Sequence, residues 1–409
     1  MKKTITLLSV LGATMAFAGC SQERDRDSLP QSTRIDREIV AAASRNINVA
    51  QVADITTEQI NTTWTTIDGV TKFHLGYQPG PTHPMSIGLA RLQKEVYERS
   101  NGTLMMHLHG DATVAGDGAL IGLINNNQID AALVTIWGLW HNLTDMANLE
   151  SLPWAFTNYE EAFAAYEGAW GEFVAREIIE PHGGVVLGFF TNGLRHFTNN
   201  VRPITTPADM VGLRMRSPDI ATNLAMYDLL GSASISMGFT VLPEALAAGT
   251  VDGQDNPIGN IYISRLHDVQ RYISLSNHMF SSAPVLVSTD FWNYLSQEHR
   301  DILIEATLYT SRYQGQLTIE MEDRMLAYMA STGTVVNDVD LHSFMVAVEP
   351  IWADHVSRFG SEFANIISRY VSDPNSPAHR YATVVHVPVV TEPEIEEDYD
   401  DEEGEEDED

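Results

Sequence analysis

Cysteine is nearly absent from this chain: among 409 residues only Cys20 is one. No disulfide can therefore form within the chain, and a thiolate metal cluster is excluded. Positive charge is scarce too. Lys and Arg number 24 against 55 Asp and Glu, a formal net charge of −31. Phosphate binding needs a basic face, so nucleic acid is excluded as a partner. Past the first twenty residues no run of about 18 consecutive apolar residues occurs, and no membrane-spanning helix is expected there. The signatures of common chemistry are also missing. There is no P-loop, no His-Glu-x-x-His and no Gly-x-Ser-x-Gly. Gly116-Asp117-Gly118 with Gly122 is one residue too long for a dinucleotide fingerprint. No cofactor is expected, and no nucleophile–base pair of a secreted hydrolase is evident.

His107 and His109 fall two apart in a strand candidate and so share a face, with Asp111 nearby. Zinc or copper takes such ligands, but no third one of convincing spacing follows. The expectation is hydrogen-bonded strand histidines and no metal. His83, before Pro84, reads as a loop or cap residue.

What is present begins with an export pattern. Lys2 and Lys3 precede an apolar stretch from Ile5 to Phe17, and Ala18-Gly19-Cys20 follows. Small residues before a cysteine resemble a bacterial lipoprotein cleavage box. This predicts a signal peptide over 1–20 and a lipid on Cys20, which tethers a protein to a membrane without spanning it. Residues 21–70 read as a polar tether with one helix near Ile39 to Val49. At the other end, Thr391 to Asp409 hold fourteen acids and no base. A tail of that composition repels itself, and 387–409 is expected to be disordered.

Between these ends the pattern alternates. Lys72–Tyr77, Leu104–His109 and Ile129–Thr135 are strand candidates. Met85, Leu89, Leu92 and Val96 form one apolar helix face, and Ala119, Leu120, Leu123 and Ile124 mark a shorter helix. A β-α-β-α-β run implies a parallel sheet covered by helices. A second unit repeats the alternation. Thr206-Pro207 starts a helix, Leu213–Met215 is a strand, and helices span Pro218–Leu230 and Val241–Ala248. A helix over about Gln297–Thr332, ended by Gly333, is long enough to bridge two domains.

One stretch is far more specific. Gly193-Leu194-Arg195-His196-Phe197-Thr198 leads to Arg202-Pro203-Ile204, then to Pro207-x-Asp209-Met210-x-Gly212-Leu213-Arg214-Met215-Arg216. After Gly231 and Ala245-Leu246 comes Val251-Asp252-Gly253-Gln254-Asp255-Asn256-Pro257. In order and spacing this closely resembles the TRAP transporter solute-binding proteins, which serve sodium-coupled uptake of organic acids. The resemblance implies an α/β fold of two domains, with crossing strands, a long domain-spanning helix and a ligand cleft. It places domain I at 71–190 with part of 280–335, and domain II at 191–280 with part of 335–386. It implies a receptor rather than an enzyme, with a small carboxylate ligand and the transporter's membrane subunits as partners. Arg216 is implied as the bidentate carboxylate anchor, Arg195 as a second contact and Asn256 as completing the polar site. The guanidinium fork suits a carboxylate independently of that likeness. Asp117, Thr135, Trp137 with Trp140, and Phe239 are weaker candidates for the cleft walls. Val241 and Pro243 stand where several relatives carry Glu and Tyr, which favours an apolar ligand tail. A sensor feeding a signalling receptor and a metal-chelate receptor are the alternatives.

Overall fold

The computed structural model describes residues 69–135 and 144–382. The signal stretch with Cys20, the tether with its expected helix, Trp137, Trp140 and the acidic tail lie outside these residues. One sheet of nine strands organises the rest: β1 (Thr71–Tyr77), β2 (Leu104–His109), β3 (Ala131–Leu133), β4 (Val185–Asn199), β5 (Arg214–Ser217), β6 (Ala233–Ser236), β7 (Gly253–Pro257), β8 (Tyr272–Val287) and β9 (Val335–Asp338). Their order is β2-β1-β3-β8-β4-β7-β5-β6, with β9 added along β8.

The first half is the expected β-α-β-α-β unit. β1 lies parallel between β2 and β3, and helices Pro84–Arg99 and Asp117–Asn125 connect the strands. Met85, Leu89, Leu92 and Val96 are all buried, as their spacing predicts. His83 caps the first helix, its Nδ1 accepting from Met85 N at 3.2 Å. β3 is shorter than the pattern suggested, because Thr135 leaves the ladder and gives its N–H to the Asp117 carboxylate.

The second half is built on β5, β6 and β7, again parallel. Thr206 and Asp209 cap each other reciprocally at a short 3-10 turn, Pro207–Met210. The expected helix over Pro218–Leu230 begins only at Ala221, since the Pro218 carbonyl turns to Ser217 Oγ and Ile220 N instead. The one expected over Val241–Ala248 divides into a 3-10 turn, Phe239–Val241, and a helix, Leu242–Ala247.

Two long antiparallel strands join the halves. β4 has 15 residues and β8 has 16. β3 pairs with Val285–Val287 of β8 in the first half, and β7 with Arg195–Asn199 of β4 in the second. Their shared ladder shifts register near Val186, Thr191 and Arg195. Such irregularities bend a strand and re-aim its side chains. At the middle shift, Thr191 offers its N–H and C=O to the Gln314 side chain, at 2.7 and 2.8 Å. Gln314 belongs to the long helix Gln297–Ser331, whose 35 residues start at a Ser296 cap. Leu303 and Ala306 of this helix pack in the core under β1–β3, whereas Met325 and Met329 pack with Leu242, Val251 and Ile258 in the second half. The helix therefore spans both. Its tight approach to the Pro84–Arg99 helix needs Gly88, where any Cβ would come within 2.6 Å of Gln314.

Candidate ligand cleft

A cavity of about 540 Å³ opens between the halves, beside the strand-crossing point. Arg216, Arg195, Asn256, Phe239, Asp117 and Thr135 all line it. Six of the seven expected site residues thus meet in one place. The seventh, Trp137, lies outside the described residues. Val241 is half exposed and is not in the lining, so its change from the relatives' pattern says nothing about the ligand's tail.

Arg216 sits near the carboxyl end of β5, where open α/β sheets bind ligands. It is 4% exposed. Its Nε and Nη2 both donate to Met237 O, at 3.0 and 2.7 Å, which fixes the plane of the fork. Among the described residues no carboxylate pairs with it. Burial, then the nearby Arg195, draw its pKa down to about 10, against the opposing pull of Asp255 and Tyr227. It stays cationic at neutral pH.

Arg195 is as deeply buried but differently engaged. Its Nε donates to Asp255 Oδ2 at 2.5 Å, its Nη2 to Asp255 O, and its Nη1 to Asn256 Oδ1 at 3.4 Å. Asp255 also accepts from Tyr227 OH at 2.5 Å and from His278 Nε2 at 3.3 Å. Burial favours the neutral acid, but Arg195, His278 and Tyr227 together outweigh it and hold this carboxyl far below the usual range. His278 is itself held by Ser276 Oγ at 2.7 Å and by stacking on Phe197 at 4.2 Å between centroids. Sequence reasoning passed over Asp255, Tyr227 and His278. Asp255 occupies the variable slot just before Asn256, and the other two are remote in the chain.

Asn256 Oδ1 also accepts from Asn260 Nδ2 at 3.4 Å, and Asn260 Oδ1 faces His83 Nε2 at 3.0 Å. Because His83 Nδ1 accepts from Met85 N, its proton lies on Nε2 and is donated across the cleft. Burial pulls its pKa to about 4, so it is neutral. On the first-half wall, Asp117 Oδ2 accepts from Thr135 N at 3.2 Å and Thr135 Oγ1 at 2.5 Å. Burial lifts the Asp117 carboxyl to about 6 despite those two bonds. Gln78 Oε1 accepts from Asp117 N at 3.0 Å and joins the lining, as do Asn192 and Asn260. No motif flagged these three.

The strand histidines resolve differently. His74 of β1, in register with His107, hydrogen-bonds His109 through Nδ1···Nε2 at 2.7 Å, and its ring stacks on both. Among the described residues no group of three or more such side chains is placed to hold a metal.

A two-lobed α/β fold with crossing strands, a bridging helix and a cleft of this kind defines a ligand-binding receptor. The chain belongs to the bacterial extracellular solute-binding proteins of family 7 (DctP), whose model matches residues 75–358. It is 27% identical over 274 residues to the 2,3-diketo-L-gulonate-binding periplasmic protein of Escherichia coli, covering 67% of this chain and 83% of that one. Over 265 residues it is 26% identical to the sialic acid-binding periplasmic protein of Vibrio cholerae, 64% of this chain and 81% of that one. A TRAP periplasmic solute-binding protein of Polaromonas, solved with D-erythronate, superposes with a TM-score of 0.68 at 27% identity, covering 73% of this chain and 98% of the other. The family is one of solute-binding receptors, not enzymes, and the relatives from Escherichia coli, Vibrio cholerae and Rhodobacter capsulatus are named as periplasmic.

Proposed function

We propose that this chain captures a small organic acid by its carboxylate at Arg216 and hands it to the membrane subunits of a TRAP-type transporter. The observation that carries this is a buried guanidinium with no carboxylate partner among the described residues, lining a cavity between two lobes. A charge so buried is costly unless it is paired, and a ligand carboxylate supplies the pair. Arg195 acts beside it, its fork oriented by Asp255, and Asn256 links that pair to Asn260. Phe239, Thr135 and Asp117 form the walls. Lobe closure over the ligand excludes water, and the closed form is what the transporter recognises. Ligands named for relatives, from diketogulonate to sialic acid, are all acids, which supports the same class here.

A calorimetric screen of organic acids against wild type and Arg216→Ala is the test. Binding by wild type that the variant loses is expected. Equal binding by both contradicts the reading.

The same proposal places the chain in the periplasm, tethered through a lipid on Cys20. The intact mass of the exported chain should begin at Cys20 and carry acyl groups. A mass with residues 1–19 still attached, or without lipid, refutes the anchor.

A further inference from the structure

We propose that the chain carries a second binding site, behind the ligand cleft, for a small aliphatic amine that also bears a hydroxyl or carbonyl oxygen. A cavity of about 410 Å³ lies there, and no residue lining it lines the cleft. Arg195 and His196 show how the two are related. Neighbours in a strand point to opposite faces, so Arg195 enters the cleft and His196 the second cavity.

The crossing strands make the space. Between Arg195 and Phe197 of β4 the pairing passes from Met279 to Ser274 of β8, so residues 275–278 bulge from the ladder. Asn277 in this bulge has a φ of 42°, a left-handed conformation that asparagine tolerates better than most residues. Its N–H meets His196 Nδ1 at 3.5 Å, which makes that nitrogen an acceptor. Burial, then His278 and Arg195, draw the His196 pKa to about 3, so the ring is neutral and its one proton lies on Nε2. His196 is 6% exposed, and no acceptor among the described residues meets Nε2. Polar groups this deeply buried nearly always have partners. The cavity that His196 lines is where one can enter.

The rest of the lining defines the ligand. Glu322 and Asp323 of the long helix and Asp338 of β9 supply three carboxyl groups, and no Lys or Arg lines the cavity among the described residues. Such a lining repels anions. Asp323 and Asp338 are exposed and pair with no cation among the described residues. An ammonium, with three donors and no acceptor, suits them. Ile258, Leu275, Leu326 and Leu341 give a chain of methylenes an apolar wall. Among the described residues no group of three or more ligating side chains is placed to hold a metal, which leaves an organic cation. An oxygen on that cation accepts from His196 Nε2.

The test is calorimetric titration of the full chain with 5-amino-1-pentanol, pentylamine and 1-pentanol at one ionic strength. The amino alcohol should bind about two- to tenfold more tightly than pentylamine, which lacks the oxygen, and pentanol should bind most weakly. Asp338→Asn, at an exposed position, should weaken both amines by about two- to fivefold. Arg216→Ala, which alters only the cleft, should leave both amines bound as in wild type. A second readout is the proton. A cation beside a carboxyl favours its ionised form. Burial holds the Glu322 carboxyl at about 7, so amine binding at pH 7 should release protons, read as heats that change with the buffer's ionisation enthalpy. Glu322→Gln should remove that release. Tyr159, His196, Asp323 and Asp338 share the cavity with Glu322. Burial lifts the Tyr159 hydroxyl well above its usual range and keeps His196 neutral, so neither titrates there. Pentanol binding as tightly as the amines, or no amine binding at all, overturns the site. So does amine binding that Arg216→Ala abolishes and Asp338→Asn leaves untouched. Pentylamine binding as tightly as the amino alcohol overturns the role given to His196.

Discussion

Three arginines in one stretch show how little a residue's identity says without its neighbours. Arg214 and Arg216 lie two apart along β5, yet their surroundings differ. Arg214 meets Asp252 at an exposed position, and its loss should leave ligand binding unchanged. Arg216 is buried, and the proposed function gives its fork to the ligand carboxylate. Arg195 is buried too, but its fork is largely occupied by Asp255. Removing Asp255 would strand a desolvated cation beside a second one. Asp255→Ala is therefore expected to destabilise the chain by about 3–5 kcal/mol, read as a lower urea midpoint. A cost under about 1 kcal/mol would mean that the pair is dispensable. Motif order and spacing made Arg216, Arg195 and Asn256 legible in the sequence. Asp255 was not, because its meaning comes from Tyr227 and His278, which the fold brings in from far along the chain.

At the scale of elements, the helices with one apolar face could be read from spacing, and Met85–Val96 is the clearest case. The crossing strands could not. Every residue from Phe190 to Asn199 is buried, polar and apolar alike, so β4 shows no two-residue alternation. Only the family resemblance pointed to these strands. Their polar residues are held by tertiary partners such as Gln314. Another joint of this kind is Glu322 on the long helix. It accepts from Tyr159 OH and from Gly259 N, at 3.2 Å for the latter, and Tyr159 in turn accepts from Leu194 N of β4 at 3.0 Å. Burial raises the Glu322 carboxyl to about 7. A folded-state value above the ordinary 4.5 means that the native chain binds the extra proton. The stability it confers is full below about pH 4.5 and is lost as pH rises through 7. Glu322→Gln, which mimics the protonated form, should match wild type near pH 5. By pH 8 it should exceed wild type by on the order of 3 kcal/mol in chemical denaturation. A difference independent of pH would show that Glu322 is ionised in the fold throughout.

For the whole molecule, the lobes, the cleft and the bridging helix act together. The halves touch through β4, β8 and the long helix, and a hydrogen bond from His83 to Asn260 reaches across the cleft. An acid bound at Arg216 would add contacts from both walls and bias the chain towards closure. A net charge of −31 opposes the approach of an anion. Salt at physiological strength confines that field to roughly 8 Å, leaving the cleft guanidiniums to dominate at close range. The most direct test of this account is a calorimetric titration of the refolded chain with the tightest-binding acid, in parallel with Arg216→Ala and Arg216→Lys. The account predicts that affinity falls about 100-fold or more in the alanine variant. The lysine variant, which keeps the charge without the planar fork, should recover it only in part. An alanine variant that binds the acid as tightly as wild type would contradict it.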